Sequence, residues 1–205
     1  MWLGDLEREM VDEQRDVEPG FLTEKLKGFF GRLNSISLTA RLSIQTSEGI
    51  EKYVLACFSV ELVIAILLFP VKQVSPLPGV LLVFFASLRI ADILQASINA
   101  VLFGKKVASP NRTLILAAIN CFELGMCFGF ISAAHLGHLF GASRAATGIY
   151  LSFITQLTIG YGDVYPTGWL RIVAVIQGLV AALFVILVLG RIVASIRPLD
   201  RDKRQ

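Results

Sequence analysis

The sequence predicts an all-α membrane protein with four transmembrane helices and one shorter helix that enters the bilayer and turns back. Three observations carry this expectation. The 205 residues are 55% hydrophobic and only 17% charged, where a soluble domain carries roughly 25% charged residues. The charge is also displaced from the apolar stretches: from Tyr53 to Phe103 it is confined to Glu61, Lys72, Arg89 and Asp92. Finally, the apolar stretches reach the length of about 20 residues that a bilayer crossing needs. Residues 1–20 carry an acidic excess, while residues 51–205 carry a basic one. A positive excess on the apolar part points to a membrane and away from nucleic acid.

The spans follow in order. The first is expected from Tyr53 to Val71 with Pro70 at its end, the second from Gly79 to Phe103 and the third from Arg112 to Leu136. The fourth runs from Trp169 to Ile196 and stops before Pro198, because proline has no N–H to continue a helix. Between the third and fourth spans lies a connection from Gly137 to Gly168 whose middle, Ala145 to Leu157, is apolar. That middle is too short to cross a membrane, so a re-entrant helix is expected. Trp169 and Tyr165 suit an outer interface.

Loop charge orients the spans. Lys105, Lys106 and Arg112 lie between spans two and three, and Arg197, Arg201, Lys203 and Arg204 follow span four. Basic loops stay inside, so both termini are expected in the cytoplasm of a multi-pass cell-membrane protein. Residues 1–50 form a separate cytosolic or membrane-surface region, and 199–205 a basic tail. Within that first region Phe21, Leu22, Leu26, Phe29, Phe30 and Leu33 make an apolar face beside Lys25, Lys27 and Arg32. Such a face suits either anionic inner-leaflet lipid or the body of the protein itself.

Span two carries Arg89, Asp92, Gln95 and Asn99 on one narrow helical face, which should meet protein rather than lipid. At about 1.5 Å per residue, Glu61 lies roughly 14 Å and Arg89 roughly 15 Å from the outer ends of their spans, so the two are candidates to pair. Glu123 in span three lies near the same depth. One arginine cannot neutralise Glu61, Asp92 and Glu123 together, so at least one carboxyl is expected protonated or facing water. The cysteines, Cys57, Cys121 and Cys127, lie in apolar runs without zinc-type spacing and read as small buried hydrophobes. His135 and His138 read as solvated histidines near the outer mouth; pH sensing or metal binding is the alternative.

Residues 155–166 read Thr-Gln-Leu-Thr-Ile-Gly-Tyr-Gly-Asp-Val-Tyr-Pro. Glycines on either side of a tyrosine let the backbone take conformations closed to other residues. Successive carbonyls can then point the same way, and four such strands around an axis would stack rings of oxygens able to replace the water shell of a monovalent cation. Thr158 adds a hydroxyl, and the preceding helix directs its negative end at the same place.

This segment resembles the selectivity-filter signature of tetrameric potassium channels. The match is Thr158-Ile159-Gly160-Tyr161-Gly162-Asp163, with Thr155 ahead and Tyr165-Pro166 behind. The resemblance covers about Arg112 to Ile196. It implies a pore domain at 107–198, a peripheral two-helix unit at 51–106, and K+ ions held by Thr158, Ile159, Gly160, Tyr161 and Gly162. One filter per chain implies a fourfold homotetramer. It further implies that Tyr150 supports the filter through Asp163. Ile154 stands where several bacterial relatives have a glutamate, so the buried carboxyl pair behind their filters is not expected. Gly178 and Gly190 are candidate bends of the inner helix, with close packing as the alternative. Gly125 and Gly129 form a Gly-x-x-x-Gly pair on span three that allows close helix contact.

Arg89 stands alone, without further basic residues at three-residue spacing, so steep voltage sensing is not expected. No catalytic constellation and no organic cofactor is indicated. The expected function is passive, potassium-selective conduction. The alternatives are a subunit of an ion-coupled potassium transporter and a non-conducting membrane sensor on a channel scaffold.

Overall fold

The computed structural model describes residues 47–102 and 110–193, together with Lys25. The N-terminal apolar face, the Lys105–Lys106 pair and the basic tail lie outside the described residues.

Five helices account for most of the described residues: α1 (Ser47–Leu68), α2 (Pro76–Leu102), α3 (Pro110–Ala134), α4 (Ala145–Gln156) and α5 (Leu170–Val193). Proline opens both α2 and α3, where its missing N–H would have had no helical partner and its fixed φ suits the first turn. α1 ends just ahead of Pro70. Between α3 and α4 a 3-10 turn (Leu136–His138) leads into a two-residue strand, β1 (Leu139–Phe140). It pairs antiparallel with β2 (Tyr165–Pro166), Leu139 opposite Pro166 and Phe140 opposite Tyr165. This small ladder closes the two sides of the α3–α5 connection and carries the stacked Phe140 and Tyr165 rings, 4.7 Å apart. Span-length reasoning did not anticipate it.

Among the described residues, three helices are long and apolar enough to cross a membrane, over Pro76–Asn99, Arg112–Ala134 and Leu170–Gly190. α1 is 22 residues long, but every 18-residue stretch of it contains Glu51, Lys52 and Glu61, which sets it apart by charge rather than by length. α4 has 12 residues, about 18 Å at 1.5 Å per residue, little more than half of a hydrocarbon core about 30 Å thick.

α3 is the central helix and packs against α1, α2, α4 and α5. Its apolar residues Cys127, Phe128, Phe130, Ile131 and Ala133 join Leu82 and Ala86 of α2, Leu68 of α1 and Ala145 of α4 in one buried cluster. A second cluster (Leu139, Leu151, Ile154, Val164, Leu170) sits within the α3–α5 connection and its contacts with α4 and α5. Inside the chain, 44% of the α3 span is buried, against 11% of the α5 span. Ile172, Val175, Leu179 and Ile186 of α5 are therefore left exposed to whatever surrounds the single chain.

The close approach of α3 to α4 depends on glycine. A methyl group at Gly129 would lie 2.9 Å from the Ile149 Cα, and one at Gly148 would lie 2.4 Å from the Ala133 backbone nitrogen. A methyl group at Gly125 would lie 2.8 Å from the Phe153 ring. Gly125 and Gly129 thus serve contact between helices of one chain, with Gly148 of α4 as their facing partner.

Candidate functional site

The polar face of α2 turns inward. Arg89 donates to Asp92 at 2.7 Å and to Glu123 of α3 at 2.6 Å. Tyr53 of α1 donates its hydroxyl to Asp92 at 3.1 Å, and its ring lies 5.2 Å from the guanidinium carbon. Arg89, Asp92, Glu61 and Glu123 are all buried. The depth comparison that set Glu61 opposite Arg89 is corrected: the guanidinium bonds Asp92 and Glu123, and Glu61 accepts the Cys127 thiol at 3.3 Å. Glu61 Oε2 has no hydrogen-bond partner. Helix rotation decides this. Residues at equal depth meet only if both face the same seam, and the seam Glu61 faces holds Cys127. Neither Glu61 nor Glu123 reaches solvent, both being 0% exposed. Cys127 is accordingly more than a small hydrophobe, since it supplies the one hydrogen bond Glu61 receives. Cys57 and Cys121 are half-buried, and all three thiols are free.

The segment Thr158–Gly162 hangs from the end of α4. The Ile154 carbonyl accepts N–H bonds from both Ile159 (2.8 Å) and Gly160 (3.2 Å), and Thr158 N–H bonds Thr155 O at 3.1 Å. Three N–H groups are thereby tied beneath the helix. Ile154 itself is buried and packs beside Leu151 and Leu170, an apolar contact at the position where a carboxyl is absent.

Backbone handedness alternates along this segment. Thr158 has φ +57°, Gly160 φ +56° and Gly162 φ +82°, whereas Ile159 and Tyr161 do not have positive φ. Alternating left- and right-handed residues align successive peptide groups, N–H to one side and C=O to the other. No neighbouring atom lies within 4 Å of a Cβ built at Gly160 or Gly162. Glycine is needed there for conformation, not for space. Thr158 is the one described non-glycine residue with positive φ. For a β-branched residue this is a strained state, costing about 1–3 kcal/mol. Ile159 and Tyr161 are exposed within one chain.

The surroundings of the segment are polar and specific. The Tyr150 hydroxyl lies 3.1 Å and 3.0 Å from the two carboxylate oxygens of Asp163. Ser152, fully buried, donates to Gly125 O of α3 at 2.6 Å. Gln177 of α5 donates to Ser152 O and Oγ, both at 2.8 Å. Gln156 donates to Cys121 O at 2.7 Å. Sequence reading did not single out Ser152, Gln156 or Gln177. A lone glutamine in the most apolar helix was the available signal.

The first turn of α4 is held by Ala145 N–H to Val71 O at 2.8 Å, a bond that joins it to the α1–α2 connection. Just past the end of α3, His135 meets the Trp169 ring edge-on at 4.7 Å, and His138 meets it at 5.9 Å. Both histidines thus have a ring partner, His135 half-buried and His138 exposed to solvent, and no group of metal-binding side chains occurs among the described residues. Gly178 and Gly190 both face open space within the chain, so neither serves close packing there.

No curated protein and no solved structure matches the chain. Residues 120–197 match the family described as Ion channel, a stretch that takes in most of α3, all of α4, the glycine-flanked segment and α5. Over residues 120–197 the chain is accordingly similar to ion channels, which supports a likeness to the pore-loop cation-channel superfamily in that stretch.

Proposed function

We propose that the chain is the subunit of a homotetrameric, potassium-selective channel that conducts passively. The observation that carries the reading is the alternating handedness of Thr158–Gly162 at the end of a helix too short to cross. Four copies arranged about one axis would present the carbonyls of Thr158, Ile159, Gly160 and Tyr161, with the Thr158 hydroxyl below them, as successive cages for a dehydrated K+. The Tyr150–Asp163 contact supports the outer end of the cage wall. The exposed apolar face of α5 is available for neighbouring copies and for lipid.

In this reading α1 is the fourth crossing, packed on α3 with Glu61 turned inward. Both termini face the cytoplasm, since Lys105, Lys106 and Arg112 share one side. α1 and α2 form a structural unit rather than a voltage sensor, because Arg89 is already held by two carboxylates.

The experiment is flux through the purified protein in liposomes. An outward K+ gradient should drive uptake of a tracer cation, K+ should exceed Na+, and the particle mass in detergent should be that of four chains. Gly160→Ala should abolish selectivity, because alanine at φ +56° costs about 1–2 kcal/mol in each subunit. Concentrative uptake against the gradient would indicate a transporter instead. A silent wild type of dimeric mass would overturn the reading.

A further inference from the structure

Gln177 is unusual for its helix. α5 is the most exposed and most apolar of the spans, yet this one amide is 3% exposed. Its NH2 group reaches across to α4 and donates to both the carbonyl and the hydroxyl of Ser152. The Ser152 hydroxyl in turn donates to the Gly125 carbonyl of α3. Three helices therefore meet at one buried hydroxyl, in a region otherwise built of Leu, Ile, Val and Phe. A hydrogen bond in such surroundings has no water to replace it, so its loss leaves buried polar groups unpaired.

The position of this junction gives it a consequence. Ser152 lies on α4 two residues before Ile154, whose carbonyl holds the N–H groups of Ile159 and Gly160. Any axial shift of α4 moves that carbonyl and the segment suspended from it. On the other side, Gln177 immediately precedes Gly178, where a Cβ would meet nothing within 4 Å. α5 is therefore pinned to α4 at Gln177, and a glycine with open space around it follows the pin directly.

Resting on the channel reading above, we propose that Gln177 is a positioning residue for the filter. Through Ser152 it sets the height of α4 relative to the inner helix α5, and hence the spacing of the oxygens of Thr158–Gly162. Displacement of α5 at Gly178 is transmitted to the ion cages through this amide. Apolar contacts between α4 and α5 would slide under the same displacement; two 2.8 Å bonds from one nitrogen hold a fixed register.

The test compares wild type with Gln177→Met, which keeps length and removes the donor, with Ser152→Ala, and with the double variant. Two quantities are read on the full chain: the K+/Na+ permeability ratio in liposomes, and the melting midpoint of the oligomer in K+ and in Na+. Gln177→Met should lower the permeability ratio about tenfold, and shrink the K+-specific rise in melting point while the midpoint in Na+ falls little. The double variant should be no worse than the more severe single one, because both remove the same link. A purely structural role lowers both midpoints equally and leaves the ratio intact; that result overturns the proposal, as does simple additivity. Gln177→Asn, too short to reach Ser152, is read the same way if the methionine variant does not assemble. A wild type without K+ preference would remove the channel reading itself, and is distinguished by needing no variant.

Discussion

Arg89→Ala is the perturbation whose size follows most directly from the structure. The guanidinium bonds two carboxylates, Asp92 at 2.7 Å and Glu123 at 2.6 Å, and all three groups are buried. Removing the cation leaves two buried acids without their charge partner, and loss of one partner of a buried pair costs about 3–5 kcal/mol. For a chain of this size each kcal/mol moves a melting midpoint by about 2–4 °C, so a fall of about 6–20 °C is expected. The assay is thermal unfolding of the full chain in detergent, followed by circular dichroism at neutral pH. Adding Glu123→Gln to Arg89→Ala should restore part of the loss, with a coupling of about 0.5–3 kcal/mol. Glu61→Gln alone should cost of order 1 kcal/mol or less, since an amide oxygen still accepts the Cys127 thiol. An Arg89→Ala protein melting within about 2 °C of wild type would refute the argument, because it would mean that Asp92 and Glu123 need no counter-charge.

Other outcomes follow from the same geometry. Gly148→Ala should be strongly damaging, since the methyl group meets backbone at 2.4 Å. Overpacking of this kind costs typically 1–3 kcal/mol or more, read as lost expression and a lower melting point. Gly178→Ala meets nothing within 4 Å and should stabilise the helix by about 0.5–1 kcal/mol. Any change in its open probability would then identify a bend rather than a packing site. Tyr150→Phe should leave assembly intact while shortening sustained K+ current, because it removes the hydroxyl from Asp163 and nothing from the core; unchanged current decay in patch recordings would show the contact to be idle.

Much of the architecture was already written along the chain, and the reason is local. Proline at 76 and 110, the apolar runs and the stretch of 12 helical residues after Arg144 act through near neighbours and through total length. The glycines at 160 and 162 act through their own φ angles. Such signals need no knowledge of what lies across the helix, so sequence alone determined the succession of long helices, the short helix before the last and the segment it presents. Partners across helices were decided only by the tertiary structure. Depth arithmetic resolves position to about one helical turn, 5.4 Å, whereas a hydrogen bond requires about 3 Å and the right helix face. That gap is why Arg89 chose Glu123 over Glu61, and why Glu61 fell to Cys127. It is also why Gln177, unremarked in a run of aliphatic residues, is the amide that joins α5 to α4 at Ser152.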